Sequence, residues 1–354
     1  MARPKRISQI AADLEPQMRQ AFLDAVQDLR DGAQIGRLIE ALERGDIDGA
    51  IRALNLDAVV FDRMAEQLRT AANGAGNATI AALPALVDPD GFRIVARFGG
   101  SNERAERLLR EHSAGLVQIM LEEQRDNVRR IVTAGQMVNQ HPRRTGLDIV
   151  GRIGANGRRQ GGVIGLTTQQ TDYVIQARAD LISGDPARLR HFRTREARDK
   201  GFDSILEDVE ARGWTDAMAR YNKRNGTDLS PAQMRDRIAG RYSDILLRKR
   251  GETIARTETG WAMARGQDEA MQQQIDGGNI RGDQITRVWD SSGNDGRTRD
   301  SHLAMDGQTR PWGEPFTTPD NHLMMHPLDG SMGAPASETI NCRCVMRIDV
   351  DRLG

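Results

Sequence analysis

The stretch 229–278 constrains the fold more than any other part of the chain, because it predicts one long helical element. Ser230 is a favoured N-cap residue, and Pro231 suits the first position of a helix. The pair Gly277 and Gly278 predicts the helix end. The sequence leaves open whether Gly251 or Gly260 divides the element into two helices. We therefore expect a chain that is mainly α-helical, with an elongated helical N-terminal part.

The composition favours the same class. Of 354 residues, 38% are hydrophobic, 28% are charged and 4% are aromatic, and the net charge is zero. These values suit long solvated helices better than a thick-layered α/β enzyme. Arginine accounts for 46 of the 50 basic residues, since only four are lysines. This bias suits a nucleic-acid or acidic protein partner, or it reflects a GC-rich genome.

Composition shifts along the chain predict four regions. We expect an N-terminal helical region at 1–140 and a Gly/Arg-rich hinge or arm at 141–167. A second helical region is expected at 168–229 and a C-terminal module at 230–354. Within the first region, the small residues of "TAANGAGNAT" (70–79) are expected to break the helical pattern.

The sequence carries no signal that directs it to a membrane. No run approaches the roughly 20 apolar residues that span a bilayer. The start, "MARPKRISQIAADLE", is basic and lacks the apolar core of a signal peptide. We therefore expect synthesis in the cytoplasm and no membrane span.

The character of the chain changes after Asn279. The stretches "QITRVWDSS" (284–292) and "CVMRIDV" (344–350) alternate like strands, with glycines and prolines between them. The prediction is a small C-terminal α+β module.

The motifs of this module occur in a recognisable order. An Ala-Arg-Thr-Glu helix precedes a Trp, an Asp, Arg-Thr-Arg-x-x-His, Asp-Gly, Phe, a Pro-x-Asp turn and a terminal Asn-Cys-Arg-Cys. This order resembles the phage head-morphogenesis family, the Mu-F-like minor head proteins, over about a third of the chain. One departure is that the usual Pro-Gly-Asp turn reads Pro327-Leu328-Asp329-Gly330, which leaves its geometry open. The signature residues of the resemblance are Arg256, Glu258, Trp289, Asp295, Arg297, Arg299, His302, Asp306, Gly307, Phe316, Asn341 and Arg343.

The resemblance implies a minor capsid protein of a tailed phage or prophage. It implies a place in the virion, inside the head near the portal, and a role in head assembly, DNA packaging or ejection. The implied partners are the portal protein, capsid or scaffold proteins, and the packaged double-stranded DNA. We expect no enzymatic activity and therefore no catalytic residues.

The only two cysteines, Cys342 and Cys344, are one residue apart. On an extended segment their thiols share a face, and with His302 they would supply three ligands of a zinc site. His322 or His326 would supply the fourth. The spacing is less specific than a C-x-x-C pair. The alternative is that the cysteines are small buried hydrophobic residues and that His302 bonds a backbone carbonyl.

An enzymatic alternative uses the same residues. His302 could be a general base, Arg297 and Arg299 phosphate clamps, and Glu338 a carboxylate partner. The chain would then be a zinc-supported nucleic-acid-processing enzyme packaged in the head. The sequence contains no Gly-rich phosphate loop, no HExxH and no G-x-S-x-G.

Arginines in the 141–167 segment are candidates for contact with DNA or an acidic partner. No aromatic residues are interleaved to stack single-stranded bases. A second basic stretch, 188–200, is expected to be a solvated helix face. The zero net charge argues against strong nonspecific DNA binding by the whole chain. The candidate arginines are Arg143, Arg144, Arg152, Arg158 and Arg159.

Overall fold

The computed structural model describes residues 7–87, 92–100, 102–291 and 296–351. The signature residue Asp295 lies outside the described residues. Backbone contacts divide the chain into two compact units, each assembled from separate stretches of sequence. The first unit comprises 1–22, 61–115 and 251–354, and the second comprises 23–60 and 116–250.

Helices make up most of the described chain, and the mainly α class with a small α+β module is confirmed. None of the described helices is long and apolar enough to cross a membrane. Short 3₁₀ turns occur at Ala58–Phe61, Lys200–Phe202 and Gly282–Gln284. The helices are α1 (Ile7–Gly32), α2 (Ile35–Glu43), α3 (Ile47–Ala53), α4 (Asp62–Ala82), α5 (Glu103–Met137), α6 (Pro142–Val150), α7 (Thr168–Ser183), α8 (Pro186–Arg193), α9 (Asp203–Arg212), α10 (Trp214–Asn225), α11 (Pro231–Asp276), α12 (Asp300–Ala304) and α13 (Ala336–Thr339).

Helix α11 is one uninterrupted element of 46 residues. Its start is capped reciprocally: the Gln233 N–H donates to Ser230 Oγ at 3.2 Å, and the Ser230 N–H donates to Gln233 Oε1 at 2.7 Å. It ends before Gly278, whose φ of +68° suits glycine. Gly251 and Gly260 do not divide it, because an internal glycine costs only about 1 kcal/mol.

The expectation that "TAANGAGNAT" interrupts the helical pattern is wrong, because α4 runs through it. Its small residues instead allow close packing. A Cβ atom at Gly76 would lie 2.5 Å from the Phe98 ring. A Cβ atom at Gly266 of α11 would lie 2.0 Å from the Ala72 carbonyl oxygen. Glycine at these two positions therefore allows α4 to pack closely against its neighbours in the first unit.

The strands form short antiparallel pairs and one three-stranded sheet. The sheet has the order β6-β5-β9, with Trp289 of β5 opposite Met346 of β9. Strand β1 pairs with β2, β3 with β4, and β7 with β8. Both stretches predicted to be strands, in 284–292 and 344–350, lie in the central and final strands of this sheet. The strands are β1 (Leu86–Val87), β2 (Arg93–Ile94), β3 (Arg152–Ile153), β4 (Arg159–Gln160), β5 (Ile285–Asp290), β6 (Thr309–Pro311), β7 (Phe316–Thr317), β8 (Leu323–Met324) and β9 (Val345–Val350).

The Gly/Arg-rich segment 141–167 contains regular structure. Helix α6 and the β3–β4 hairpin are followed by a buried apolar run that includes Val163, Ile164 and Leu166. The buried Arg30 guanidinium donates to the carbonyls of Gly162 and Ile164 at 3.0 and 2.9 Å. These bonds fix the end of the segment within the second unit.

The close approach at Gly266 predicts a specific loss of stability. Gly266→Ala should lower the free energy of unfolding by about 1–3 kcal/mol, because the new methyl group overlaps a backbone carbonyl. Urea unfolding followed by circular dichroism measures the change. Gly115→Ala is the matched control, since Gly115 is an exposed helical glycine and a Cβ atom added there would have no neighbour within 4 Å. The control should be neutral or stabilising by up to about 1 kcal/mol. Equal effects of the two substitutions would contradict the packing argument.

Candidate metal centre and signature residues

The three-stranded sheet and the turns around it enclose a buried core in the first unit. Trp289 is fully buried at its centre and meets Phe316 edge-on, with ring centroids 5.4 Å apart. The ring of His302 meets Trp289 in the same way at 5.1 Å. Two of the signature residues therefore form the hydrophobic centre against which the candidate metal ligands pack. The remaining buried members are Met305, Met324, Leu328, Cys342, Cys344 and Met346.

The structure brings His302, Cys342 and Cys344 together. Helix α12 places His302 in the core, and the two cysteines lie just before β9, whose pairing with β5 fixes their position. His302 Nδ1 is 3.3 Å from Cys342 Sγ and 3.4 Å from Cys344 Sγ. All three side chains are at most 4% exposed.

These distances fit a shared zinc ion. With Zn–S near 2.3 Å and Zn–N near 2.0–2.1 Å, tetrahedral ligands would have their nitrogen and sulfur atoms about 3.6 Å apart. The same distances also fit hydrogen bonds between thiols and the ring nitrogen. Among the described residues, the two ring nitrogens of His302 face the sulfurs and Glu338, not a backbone carbonyl.

The two thiols titrate differently. The hydrogen bond with Cys344 lowers the pKa of Cys342 to about 5, helped by His302 and opposed by burial. The same sulfur–sulfur hydrogen bond raises the pKa of Cys344, as does burial. The thiolate is the form of cysteine that binds a metal ion, so a zinc ion shared by this pair would hold both cysteines deprotonated.

The second ring nitrogen of His302 faces Glu338. Nε2 lies 2.9 Å from Glu338 Oε2, and this contact is an ion pair when the imidazole is protonated. The Ser301 hydroxyl donates to the same oxygen at 3.0 Å. Glu338 is itself 6% exposed. This carboxylate, on α13, therefore supports the face of the imidazole that points away from the sulfurs.

The two histidines predicted as fourth ligands lie elsewhere. His326 is buried and its Nδ1 is 2.7 Å from the Pro327 carbonyl oxygen. His322 instead groups with Asp320 and Glu338. Among the described residues, neither histidine joins the group of His302 and the two cysteines. We refer to that group of three as the inner cluster.

Several signature residues bind one another across the module. The Arg256 guanidinium donates to Asn341 Oδ1, and the Asn341 N–H donates to Thr257 Oγ1 at 2.9 Å. Arg299, which precedes α12, donates to the Ile340 carbonyl. The Ala-Arg-Thr-Glu helix and the Asn-Cys-Arg-Cys segment are therefore joined directly by polar side chains.

Two further signature residues, Glu258 and Arg343, interact with residues outside the motifs. His112 Nε2 is 2.6 Å from Glu258 Oε2, and its ring stacks on Trp261 with centroids 3.5 Å apart. Burial raises the pKa of Glu15, an effect opposed by the charges of Arg256 and Arg343. His112 and Trp261 are not among the signature residues predicted from the sequence, and only the structure shows that His112 contacts both Glu258 and Trp261.

Asp306 and Gly307 form the turn that leads from α12 into β6. Asp306 Oδ1 accepts a hydrogen bond from the buried Ser291 N–H at 2.8 Å. Gly307 has a φ of +74°, and its N–H donates to the Trp289 carbonyl at 2.9 Å. At the opposite end of α12, Arg297 lies three residues before the helix begins. The Asp-Gly motif thus supplies hydrogen-bond partners for the backbone of Trp289 and Ser291.

The departure at Pro327-Leu328-Asp329-Gly330 has a structural explanation. Leu328 has a φ of +73°, the left-handed conformation that the glycine of the usual turn adopts readily. Its side chain is 5% exposed and packs in the core. Asp329 closes the turn, accepting hydrogen bonds from the Met325 N–H at 2.7 Å and the Ser331 N–H at 2.9 Å. Burial of the leucine offsets the strain of its backbone.

The candidate arginines of 141–167 differ in their surroundings. Arg144 pairs with Asp236 at 2.7 Å. Arg152 pairs with Asp148 at 2.9 Å and with Asp236 at 3.1 Å. Arg159 donates to the Gly151 carbonyl at 3.2 Å. Arg143 and Arg158 are exposed, so these two are the most accessible to a partner.

A comparison with protein families supports the resemblance of the C-terminal module. Residues 222–347 match the family model described as Phage Mu protein F like protein. This confirms the resemblance to the Mu-F-like head morphogenesis family for the C-terminal third of the chain. A search of curated proteins and a search of solved structures each found no match.

The left-handed backbone conformation of Leu328 predicts that a glycine variant is more stable than an alanine variant there, which is the reverse of their order in a helix. Leu328→Ala should cost about 2–5 kcal/mol of unfolding free energy through the lost side chain. Leu328→Gly should be more stable than Leu328→Ala by about 1 kcal/mol, because glycine removes the left-handed strain. Urea unfolding measures both. The control is the same pair of substitutions at Leu68, a buried residue of α4, where glycine should be about 1 kcal/mol less stable than alanine. The same order at both positions would contradict the strain argument.

Proposed function

Starting from the match of 222–347 to the Mu-F-like family, we propose that this protein is a minor capsid protein of a tailed phage or prophage. It acts in head assembly and resides in the virion. The observation that carries the proposal is the family match. It is supported by signature residues that pack in the buried core or bond the turns around it. A family of head proteins also implies capsid-related partners.

The finer part of the proposal concerns place and partners. The protein associates with the portal inside the procapsid and takes part in DNA packaging or ejection. The accessible guanidinium groups of Arg143 and Arg158 support a contact with phosphates of packaged DNA or with an acidic protein surface. Arg144 and Arg152 are already paired with carboxylates, so they contribute less net attraction.

Particle composition tests this proposal. Procapsids and mature virions from the source strain should both contain the protein at a few copies per portal, measured by quantitative mass spectrometry. Presence in procapsids alone would make it an assembly factor that leaves. Absence from both kinds of particle would contradict the structural role.

We also propose that the inner cluster holds one structural zinc ion. Two observations support this proposal. The three ligand residues are buried, and both sulfur atoms lie within 3.4 Å of His302 Nδ1. When bound, zinc would join α12 to the segment before β9. It would thereby stabilise the fold that presents the signature residues.

Metal analysis tests the zinc proposal. Full-length protein purified under reducing conditions should carry one equivalent of zinc, and a chelator should lower its melting temperature. Cys344→Ser should abolish both effects, because it removes a thiolate ligand. His191→Ala is the control, since His191 is an exposed histidine of the second unit. Full-length protein without zinc, and with no response to zinc added under reducing conditions, would refute the proposal.

The zinc-supported enzyme remains a second candidate because of one observation. Among the described residues, the inner cluster has three ligands, and catalytic zinc sites commonly keep a fourth position for water. The adjoining cavity, lined by both cysteines, is however only about 40 Å³. Ligand pockets are generally about 300 Å³ or larger. This size favours a structural site, and normal heads of a His302→Ala phage that lacked an activity would favour the enzyme.

A further inference from the structure

We propose that Asp320, His322 and Glu338 form a second metal site, which takes a divalent cation of the Mn²⁺ class. We call this group the outer cluster. Each residue offers one ligand atom, and these atoms all lie within 4.8 Å of one another. The outer cluster shares no residue with the inner cluster, so the proposal goes beyond the zinc site described above and does not depend on it.

The loop between β7 and β8 brings two of the ligands into position. The Thr318 N–H donates to the His322 carbonyl at 2.9 Å, and the His322 N–H donates to Thr318 Oγ1 at 3.0 Å. Asn321 adopts a φ of +62° within this tight turn. The turn therefore holds Asp320 and His322 beside Glu338 of α13.

His322 has a ring nitrogen with no hydrogen-bond partner among the described residues. Its Nδ1 atom is buried and lies 3.9 Å from Glu338 Oε1. This distance is too long for a hydrogen bond. Ligand atoms bound about 2.1 Å from one ion lie about 3 to 4 Å apart, so the separation fits a shared cation.

The carboxylate of Glu338 is fixed for this role. Its Oε2 atom accepts the Ser301 hydroxyl and faces His302 Nε2, which leaves Oε1 directed toward His322. The side chain is largely buried, so its carboxylate depends on such partners for compensation of lost hydration. A cation bound at Oε1 would supply that compensation.

The chemistry of the two clusters differs. One imidazole and two carboxylates suit a harder ion such as manganese, whereas thiolates select softer ions such as zinc and cobalt. Asp320 is exposed, which gives an ion a route from solvent. A bound ion would tie the β7–β8 loop to α13, and α13 leads directly into the segment that holds Cys342. The outer site would thus stabilise the approach to the inner cluster.

Separate probes can read the two clusters in the full-length protein. Titration with Mn²⁺ followed by electron paramagnetic resonance should show one bound Mn²⁺ per chain. His322→Ala should weaken Mn²⁺ binding by about tenfold or more, since even outer partners of a metal site contribute 10–100-fold. Titration with Co²⁺ should show a thiolate-to-cobalt absorption band from the inner cluster, and this band should persist in His322→Ala.

Two controls make the outcome decisive. His191→Ala should leave Mn²⁺ binding unchanged, because His191 also faces a carboxylate, Asp180 at 3.5 Å, but belongs to no three-ligand group among the described residues. Cys344→Ser should remove the cobalt band and keep Mn²⁺ binding. Mn²⁺ binding that survives His322→Ala would mean an adventitious ion only. No Mn²⁺ binding by the wild type would overturn the outer site and leave the inner zinc proposal to its own test.

Discussion

The pairing of β5 with β9 is the interaction on which the C-terminal module depends. It places Trp289 opposite Met346 and sets the two cysteines, which immediately precede β9, against the ring of His302. Burying an aromatic side chain of this size contributes several kcal/mol, which a single hydrogen bond does not. The chemistry of the inner cluster is therefore a consequence of strand register. A shift by one residue would turn the side chains of β9 to the opposite face.

Several polar signature residues bond the turns that surround this core. Asp306 accepts from the Ser291 N–H, Arg299 donates to the Ile340 carbonyl, and Arg256 donates to the Asn341 side chain. Ser291 is buried, and a buried backbone group without a partner is costly, so Asp306 is needed where the chain leaves β5. These structural roles account for most of the motif without invoking catalysis. The bond from Arg256 also connects α11 to the segment that precedes the final strand.

Ion pairs within the second unit explain part of the arginine bias. Asp148 is buried and receives both Arg152 and Arg178, at 2.9 and 2.8 Å, and Asp236 receives Arg144. Guanidinium groups suit such sites because one planar group can bind two oxygens at once. A high arginine content is thus not in itself a nucleic-acid footprint. The accessible Arg143 and Arg158 are a narrower basis for partner contact than the sequence count suggested.

The sequence alone determined what depends on neighbours a few residues apart. The start of α11 at Ser230 follows from a cap that spans three residues, and the end before Gly278 follows from one backbone conformation. Only the tertiary structure decided whether the glycines of α4 break the helix and that Leu328 takes the left-handed conformation. It also decided that, among the described residues, neither His322 nor His326 joins His302 and the two cysteines. These outcomes depend on atoms far apart in sequence, such as Ala72 against Gly266. Local propensities of about 1 kcal/mol yield to packing energies several times larger.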